Sequence, residues 1–467
     1  MGPRFVNIDH DTPLLLPPNL RDWVPADHLV HFILDAVEAL DLRQVKVNHR
    51  GTGSPQFPPS MMMALLLYSY ATGTFSSRRI EQSTYDHVPV RLLAADTHPD
   101  HDTICAFRRE NKALITETFV RVLQMAQELK LLQVGQITVA VDGTKIMANA
   151  SKHSAVSYER AGEMIQQLEL EVTQLLTKAE QADATPLQEG LTIPEEITRR
   201  QERKALLAQA RAEIEARARA RASAEMSDYE EKLARRAAKK ERGQKVTGPA
   251  PQPPSDQPEP KDQYNFTDPE SRIMKSGTGG HFEQTYNAQA AVEVESRLIV
   301  AAPVTTAPND KEQMVPTVAA IAPVVGGLAA VLVDSGFYSA AAVKQLEQNP
   351  QGQPTGTIVY AATEKTSHHR TVADLEKRED PPAPGPEASA GDVMKHRLKT
   401  AAGRARYKLR QQTVEPVFGI IKSVLGFRQF LLRGLEKVRL EWELVSVAYN
   451  LKRLHRLGAG LKLAAAR

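Results

Sequence analysis

The chain has 467 residues, of which 42% are hydrophobic and 25% charged, a composition typical of a folded protein with two to four domains. No apolar run approaches the ~18 residues of a membrane span, and the first residues lack the basic start and apolar core of a secretory signal, so we expect no membrane partner. The net charge is only +3, and the single cysteine excludes an intrachain disulfide, which favours a cytoplasmic protein.

Residues 1–130 carry the pattern of several short helices separated by breakers. Apolar residues recur at near-helical spacing from Asp27 to Leu42, and Asp102 is a candidate cap for a helix that begins near it. Arginine pairs such as Arg108 and Arg109 suit a helical reader of DNA, although helical bundles with paired arginines are common. We therefore expect a helical N-terminal domain that binds DNA, with plain helix packing as the alternative.

Two later stretches each end an apolar run with an aspartate followed by small residues. In QITVAVDGTK, from Gln136 to Lys145, β-branched residues alternate as in a strand, and Asp142-Gly143 is expected to end the run in a turn. Ala330 to Gly336 repeats the design, with Asp334 after AVLV. Either aspartate alone is more simply explained as a turn residue. Two carboxylates held by rigid strands are, however, a natural base for a metal site.

A helical insertion separates the two aspartate stretches. Tyr158 to Ala179 and Pro194 to Arg242 are rich in Ala, Arg, Glu and Lys, a composition typical of long, partly exposed helices. Gly243 to Lys261 is a Pro-rich linker that cannot pack a core. We expect residues 155–262 to form a helical arm with a disordered exit and no strand paired with the main sheet. The arm contacts either DNA or a second subunit, and composition does not choose between them.

After the insertion the pattern returns to an α/β arrangement. Phe282 onward predicts a strand pair, and Asn309 to Ala322 predicts a helix with Asp310 in its first turn. The strand that ends at Asp334 follows, then a second helix and a last strand at Thr357 to Tyr360.

The C-terminal part is predicted to be a polar loop followed by two helices. Residues 362–395 are polar and Pro-rich and are expected to be mobile. Thr413 is a candidate cap for a helix that carries Glu415 and Pro416 in its first turn. Apolar residues from Leu435 to Tyr449 then mark one face of a final helix.

Positive charge is concentrated in two segments. Arg199 to Lys245 contains 15 Lys and Arg against 8 Asp and Glu, and Lys395 to Arg456 contains 15 against 4. The remainder of the chain is therefore acidic overall. Such segments suggest a polyanionic partner, while solvated helical faces are the alternative, and the larger excess of the second segment favours the polyanion there.

Together these stretches resemble the Asp-Asp-Glu transposases of bacterial insertion sequences. The similar segments cover nearly the whole chain and include DTPLLLPPNLRDWVPADHL, HDTICAFRREN, VAVDGTKIMANASKH, VTTAPNDKEQ, VLVDSGFYS and TVEPVFGIIKSVLGFRQFLLRG. One branch of that family places its last acid in the signature Tyr-x2-Arg-x3-Glu-x6-Lys. Tyr407, Arg410, Glu415 and Lys422 match it, except that four residues rather than three separate Arg410 from Glu415. The extra residue turns Arg410 by about 100° if the segment is helical.

The resemblance implies a ribonuclease-H-like catalytic domain, formed by residues 131–154 and 263–457, that cuts element ends and joins them to target DNA. Asp142, Asp334 and Glu415 would then be the catalytic residues and the ligands of two Mg²⁺ ions per active site, for which Mn²⁺ can substitute. The implied partners are double-stranded DNA, as terminal repeats and target, and further copies of the chain in a dimer or larger complex on the nucleoid. A catalytically inactive DNA-binding protein of transposase descent and a metal-dependent nuclease without strand transfer are the alternatives.

The basic segment around Glu415 is expected to follow the DNA backbone beside this site. The charge excess and the signature predict phosphate contacts by Lys399, Arg404, Arg406, Tyr407, Lys408, Arg410 and Lys422.

Overall fold

The computed structural model describes residues 19–43, 45, 56–182, 193–241, 243, 248–276, 280–363, 380–385 and 387–458. Two units are distinguished by their internal contacts: residues 1–146 with 287–467, and residues 147–286. Residues 364–379 of the predicted polar loop and 244–247 of the predicted Pro-rich linker lie outside the described residues. None of the described helices is both long and apolar enough to cross a membrane.

Six α-helices precede the first strand in the described part of the first unit, as the sequence pattern predicts. They are α1 (Leu29–Glu38), α2 (Pro59–Ala71), α3 (Ser77–Asp86), α4 (Val88–Leu93), α5 (His101–Glu110) and α6 (Lys112–Glu128). α2 has no polar face, and all of its residues from Met62 to Ala71 are buried. α5 begins after Asp100, whose carboxylate accepts a hydrogen bond from the Thr103 amide at 2.7 Å, so the predicted cap at Asp102 is wrong.

Nine strands are formed by the described residues. They are β1 (Ile137–Met147), β2 (Ala155–Ser157), β3 (Gln263–Asn265), β4 (Arg272–Ser276), β5 (His281–Glu293), β6 (Ile299–Ala301), β7 (Val304–Thr305), β8 (Leu328–Val333) and β9 (Ile358–Ala361). In the larger sheet β5, β1, β8 and β9 are neighbours in that order, and β4, β6 and β7 pair antiparallel with β5. β1, β8 and β9 run parallel, which suits their continuous apolar sequences.

The register of β1 and β8 sets the two predicted aspartates side by side. Ala140 lies opposite Leu332, so the next residues on the same face are Asp142 and Asp334. Neighbouring strands are about 4.8 Å apart. β1 does not end in a turn after Asp142, as the sequence suggested, but continues to Met147. Asp142 therefore lies just beyond the point where β1 stops pairing with β8.

Five further helices complete the first unit in the described residues. They are α9 (Met314–Ala319), α10 (Ala340–Glu347), α11 (Ala390–Lys399), α12 (Ala401–Gly419) and α13 (Leu435–Arg456). α9 begins four residues after Asp310, which is therefore not in its first turn. α12 is capped by Thr400, whose hydroxyl accepts a backbone hydrogen bond at 3.0 Å. Thr413 and Pro416 lie inside α12, so the predicted helix start at Thr413 is wrong.

α13 is the central buried helix of the first unit. It packs against α2, α6 and β7. Trp442 is fully buried, and its indole N–H donates to the Gln289 carbonyl at 2.9 Å. The helical face that the sequence marks from Leu435 to Tyr449 is thus confirmed, and the N-terminal helices share its core.

The second unit is dominated by two long helices, α7 (Tyr158–Ala182) and α8 (Ile193–Glu241), which pack on each other. β2 pairs antiparallel with β3, and this ribbon contributes to the same apolar cluster as the helices. The buried residues of the cluster are Val156, Ala161, Leu168, Leu207, Ala210, Ile214 and Tyr264. The described residues of 155–262 are therefore largely helical, and none of their strands joins the larger sheet.

Candidate active site

Asp142 and Asp334 are each oriented by the backbone that follows them. The Gly143 amide donates to Asp142 Oδ1 at 2.9 Å, and the Gly336 amide donates to Asp334 Oδ1 at 2.8 Å. Burial and the charge of Asp334 raise the pKa of Asp142 to about 7, against the opposing charge of Arg410. The two aspartates are thus close enough for each to affect the other electrostatically.

Glu415 reaches the same place from α12 through a shared arginine. Arg410 Nη1 donates to Asp142 Oδ2 at 3.3 Å, and Nη2 donates to Glu415 Oε1 at 3.1 Å. The Arg410 side chain is only 11% exposed, whereas that of Glu415 is 51% exposed. The structure therefore brings together three acids that lie 192 and 81 positions apart in sequence.

A fourth acid, Asp310, lies at this site and was not among the sequence candidates. Its Oδ1 accepts hydrogen bonds from the side-chain amides of Asn287 and Gln289, each at 2.7 Å. Its charge also contributes to the raised pKa of Asp142. The sequence signal was present, because Asp310 belongs to VTTAPNDKEQ, one of the segments that carry the resemblance. The sequence pattern assigned Asp310 to the first turn of a helix, and Asp310 was therefore not counted with the acids of the site.

Two lysines meet close to these acids in the sequence and the structure. Lys422 Nζ donates to the carbonyl of Lys145 at 2.8 Å, from a π-helical turn, Ile420–Val424, that follows α12. Burial lowers the pKa of Lys422, and the charges of Arg428 and Lys145 lower it further. Burial also lowers the pKa of Lys145, while Asp310 and Asp142 act in the opposite direction. Lys422 is therefore half-buried and bonded to the backbone rather than extended into solvent.

The other predicted phosphate contacts of the basic segment are mostly exposed. Lys399, Arg404, Arg406 and Lys408 are exposed. Arg406 Nη1 donates to Thr138 Oγ1 at 3.1 Å, and Arg404 donates to the Lys399 carbonyl.

Tyr407 and Arg410 differ from these cations because they face the acids. Burial raises the pKa of Tyr407. The charge of Arg410 lowers this pKa, and the charge of Asp334 raises it further. Arg410, predicted as a phosphate contact, is instead bound to Asp142 and Glu415.

The two N-terminal arginines have different environments. Arg108 is buried, donates to the Tyr70 hydroxyl at 2.7 Å, and lies 4.0 Å from the buried carboxylate of Glu441. Its predicted DNA contact is wrong for this conformation, because a phosphate cannot reach it. Arg109 is half exposed and lies 3.5 Å from Glu110, so its role stays a prediction.

The donor chemistry of the site fits a hard divalent cation. Carboxylate oxygens are the ligands that Mg²⁺ and Mn²⁺ prefer, and a cation would stabilise the ionised form of Asp142. In the described part of the chain, however, no three Asp, Glu, His or Cys side chains are arranged to hold a metal ion together. Arg410 lies between Asp142 and Glu415, so these acids must release the arginine before they share a cation.

Comparison with known families gives two matches. Residues 385–455 match a family described as a transposase DDE domain, and residues 18–110 match a family described as a transposase domain (DUF772). The first match includes Glu415, Arg410 and Lys422, whereas Asp142 and Asp334 lie outside both matches. No curated protein and no solved structure matches the chain.

Proposed function

We propose that this chain, for which both family matches support an insertion-sequence transposase of the Asp-Asp-Glu type, cuts the ends of its element and joins them to target DNA. The observation that carries the proposal is the convergence of Asp142, Asp334 and Glu415 around one guanidinium. Acids from two parallel strands and a distant helix have no structural need to meet, since bringing like charges together destabilises a fold.

The order of strands supports a ribonuclease-H-like catalytic domain. Such a fold, as the resemblance implies, has its aspartates on the first and fourth strands and its glutamate on a following helix. In the larger sheet, β4 is left out of the count and the short β6 and β7 are counted together. The first four strands in chain order are then β1, β5, β6 with β7, and β8. Asp142 lies on β1, Asp334 directly follows β8, and Glu415 lies on α12.

The three acids would hold the metal ions. When bound, two Mg²⁺ ions, or Mn²⁺ in their place, supply the charge that activates the attacking hydroxyl and stabilises the leaving oxygen in phosphoryl transfer. The amides of Gly143 and Gly336 fix one oxygen of each aspartate, which sets the direction of the second oxygen before an ion arrives. Until an ion binds, Arg410 offsets part of the negative charge of Asp142 and Glu415.

Exposed cations on α11 and α12 would bind the backbone of double-stranded DNA beside these acids. Lys399, Arg404, Arg406 and Lys408 have the exposure that phosphate contacts require. Two element ends must be held together for joining, so a dimer or larger complex is the working form. The helical arm of the second unit would bind DNA or another subunit.

Cleavage of labelled element-end DNA with Mg²⁺ tests the proposal. Asp142→Asn and Asp334→Asn should abolish both cutting and joining while leaving DNA affinity within about two-fold, because an amide cannot replace a charged ligand. Glu436→Gln, which alters an exposed acid, is the matched control. Cutting by either Asn variant at the wild-type rate would refute the assignment. Wild-type cutting without joined products would indicate a nuclease, and binding without cutting would indicate an inactive descendant.

A further inference from the structure

The backbone beside Asp142 is closely covered by polar side chains. A Cβ atom added at Gly143 would lie 2.4 Å from Gln289 Nε2, 2.6 Å from Asp310 Oδ1 and 2.9 Å from Asn287 Oδ1. Gly143 does not have a positive φ, so glycine is needed there for space and not for conformation. Asp310 is thereby held directly against the residue that follows Asp142.

Asp310 is held firmly through one oxygen and left available through the other. Both amide hydrogen bonds, from Asn287 and Gln289, go to Oδ1, and the two amide side chains are fully buried. Oδ2 of Asp310 makes no hydrogen bond or ion pair with any described residue. The amide oxygens, Asn287 Oδ1 and Gln289 Oε1, are also buried without a partner among the described residues. Asn287 Oδ1 lies 2.9 Å from the Cβ position at Gly143, so one of these unused acceptors is beside the residue that follows Asp142.

Charge at the site is unbalanced once Asp310 is included. Asp142, Asp334, Glu415 and Asp310 are four acids, and the cationic side chains that act directly on them are Arg410 and Lys145. When all four acids are ionised, the excess of two negative charges equals the charge of one divalent cation. The buried Nζ of Lys145 has no hydrogen-bond partner among the described residues.

We propose that Asp310 is a fourth acidic residue of the metal site, whose Oδ2 binds a divalent cation beside Asp142 while Asn287 and Gln289 position it. The inference rests on the proposed function, because it assigns a further ligand to the same site. It explains why buried amides converge on a carboxylate that belongs to no helix or strand. It also explains why β1 carries glycine directly after its aspartate.

Calorimetric titration of the full chain with MnCl₂, without DNA, tests this inference. Asp310→Asn keeps the shape and removes the charge, and Glu312→Gln removes an exposed acid two residues away as the matched control. Even partners one step removed from a metal change its affinity about 10–100-fold. Asp310→Asn should therefore weaken Mn²⁺ binding at least about tenfold, whereas Glu312→Gln should change it less than twofold. A change of less than twofold in Asp310→Asn would overturn the proposal.

A second variant at position 310 keeps the test informative if Asp310→Asn does not fold. Asp310→Ser keeps a small acceptor for the two amides, and circular dichroism reports whether each variant folds. Whichever variant folds must lose Mn²⁺ affinity, and unfolding of both would assign Asp310 to stability and overturn the proposal.

Asp334→Asn in the same titration separates this inference from the proposed function. Weakened binding in Asp334→Asn alone would refute only the role of Asp310. Unchanged binding in both Asp334→Asn and Asp310→Asn would refute the metal site itself.

Discussion

Replacing Arg410 with glutamine should raise the affinity of the DNA-free protein for Mn²⁺, although the change is made inside the active site. The guanidinium occupies Asp142 Oδ2 at 3.3 Å and Glu415 Oε1 at 3.1 Å, the same oxygens that a metal ion would need. A cation binds only after these contacts break. Glutamine removes this competing charge and leaves both carboxyl groups in place.

The size of the gain follows from the contacts that metal binding must break. A hydrogen bond to a charged group contributes about 1.5–3 kcal/mol when it is shielded from water. The contact with Glu415 counts for little, because that side chain is 51% exposed and solvent weakens exposed pairs. The estimate therefore counts only the contact between Arg410 and Asp142, which the wild-type protein must break to bind metal. Since about 1.4 kcal/mol corresponds to a factor of ten, Arg410→Gln should tighten Mn²⁺ binding roughly 10–100-fold.

Calorimetric titration with MnCl₂ measures this directly. Arg406→Gln is the matched control, because Arg406 lies on the same helix, is exposed, and donates to Thr138 rather than to an acid. It should leave the affinity within about twofold. Unchanged or weaker Mn²⁺ binding in Arg410→Gln would refute the reasoning, and would show that the arginine orients the acids for the metal instead of competing with it.

Three further predictions follow from the structure. The pKa of Asp142 rises from 3.8 to about 7 on folding, so the folded chain binds an extra proton between these values and the free energy of unfolding falls as the pH rises through that window. In metal-free buffer the melting temperature of Asp142→Asn should therefore rise relative to wild type from pH 5 to pH 8, and a constant difference would contradict this. Arg108→Ala leaves the fully buried Glu441 without its cation and should cost about 3–5 kcal/mol in urea unfolding, whereas Arg109→Ala should cost less than about 0.5 kcal/mol; equal costs would contradict the buried pair. Lys408→Ala should weaken binding to specific and random DNA alike and lower the salt slope by about one, and an unchanged slope would exclude Lys408 from the DNA path.

The two aspartates could be recognised from the sequence because each one directly follows an apolar run that predicts a strand. An apolar run followed by Asp and a small residue identifies a strand with a carboxylate at the end of the run, and the parallel register of β1 and β8 then sets Asp142 opposite Asp334. The end of β1 was not predictable in the same way. Asp142-Gly143 has turn chemistry, but the glycine serves a close approach by Gln289 and Asp310, which lie more than 140 positions later.

Helix starts were predicted less well, because several residues along one segment can act as a cap. Thr413 and Thr400 offer the same hydroxyl, and only the contacts of the folded chain select Thr400. The difference between Arg108 and Arg109 is of the same kind. Adjacent residues point about 100° apart on a helix, and the acid that receives Arg108, Glu441, lies on a helix 333 positions later.

The charge excess of the C-terminal segment also overstated its basic surface. Arg439 and Arg453 both lie within the segment that contains 15 Lys and Arg against 4 Asp and Glu. Each donates to a backbone carbonyl of the first unit, at 3.1 and 2.8 Å, and so contributes to packing. Exposed cations of the segment nevertheless include Arg428 and Lys437 as well as those on α11 and α12, so its basic surface extends beyond these two helices.

Arg410 and Glu415 are separated by one residue more than the expected signature has. With three intervening residues, an arginine and a glutamate lie about 40° apart around a helix, whereas the four found here separate them by about 140°. In the structure the guanidinium of Arg410 donates to Asp142 with one nitrogen and to Glu415 with the other. One guanidinium cannot neutralise Asp142 and a DNA phosphate at the same time. A DNA phosphate that draws Arg410 away would break its bond to Asp142, so DNA should tighten metal binding by the acids above its DNA-free value.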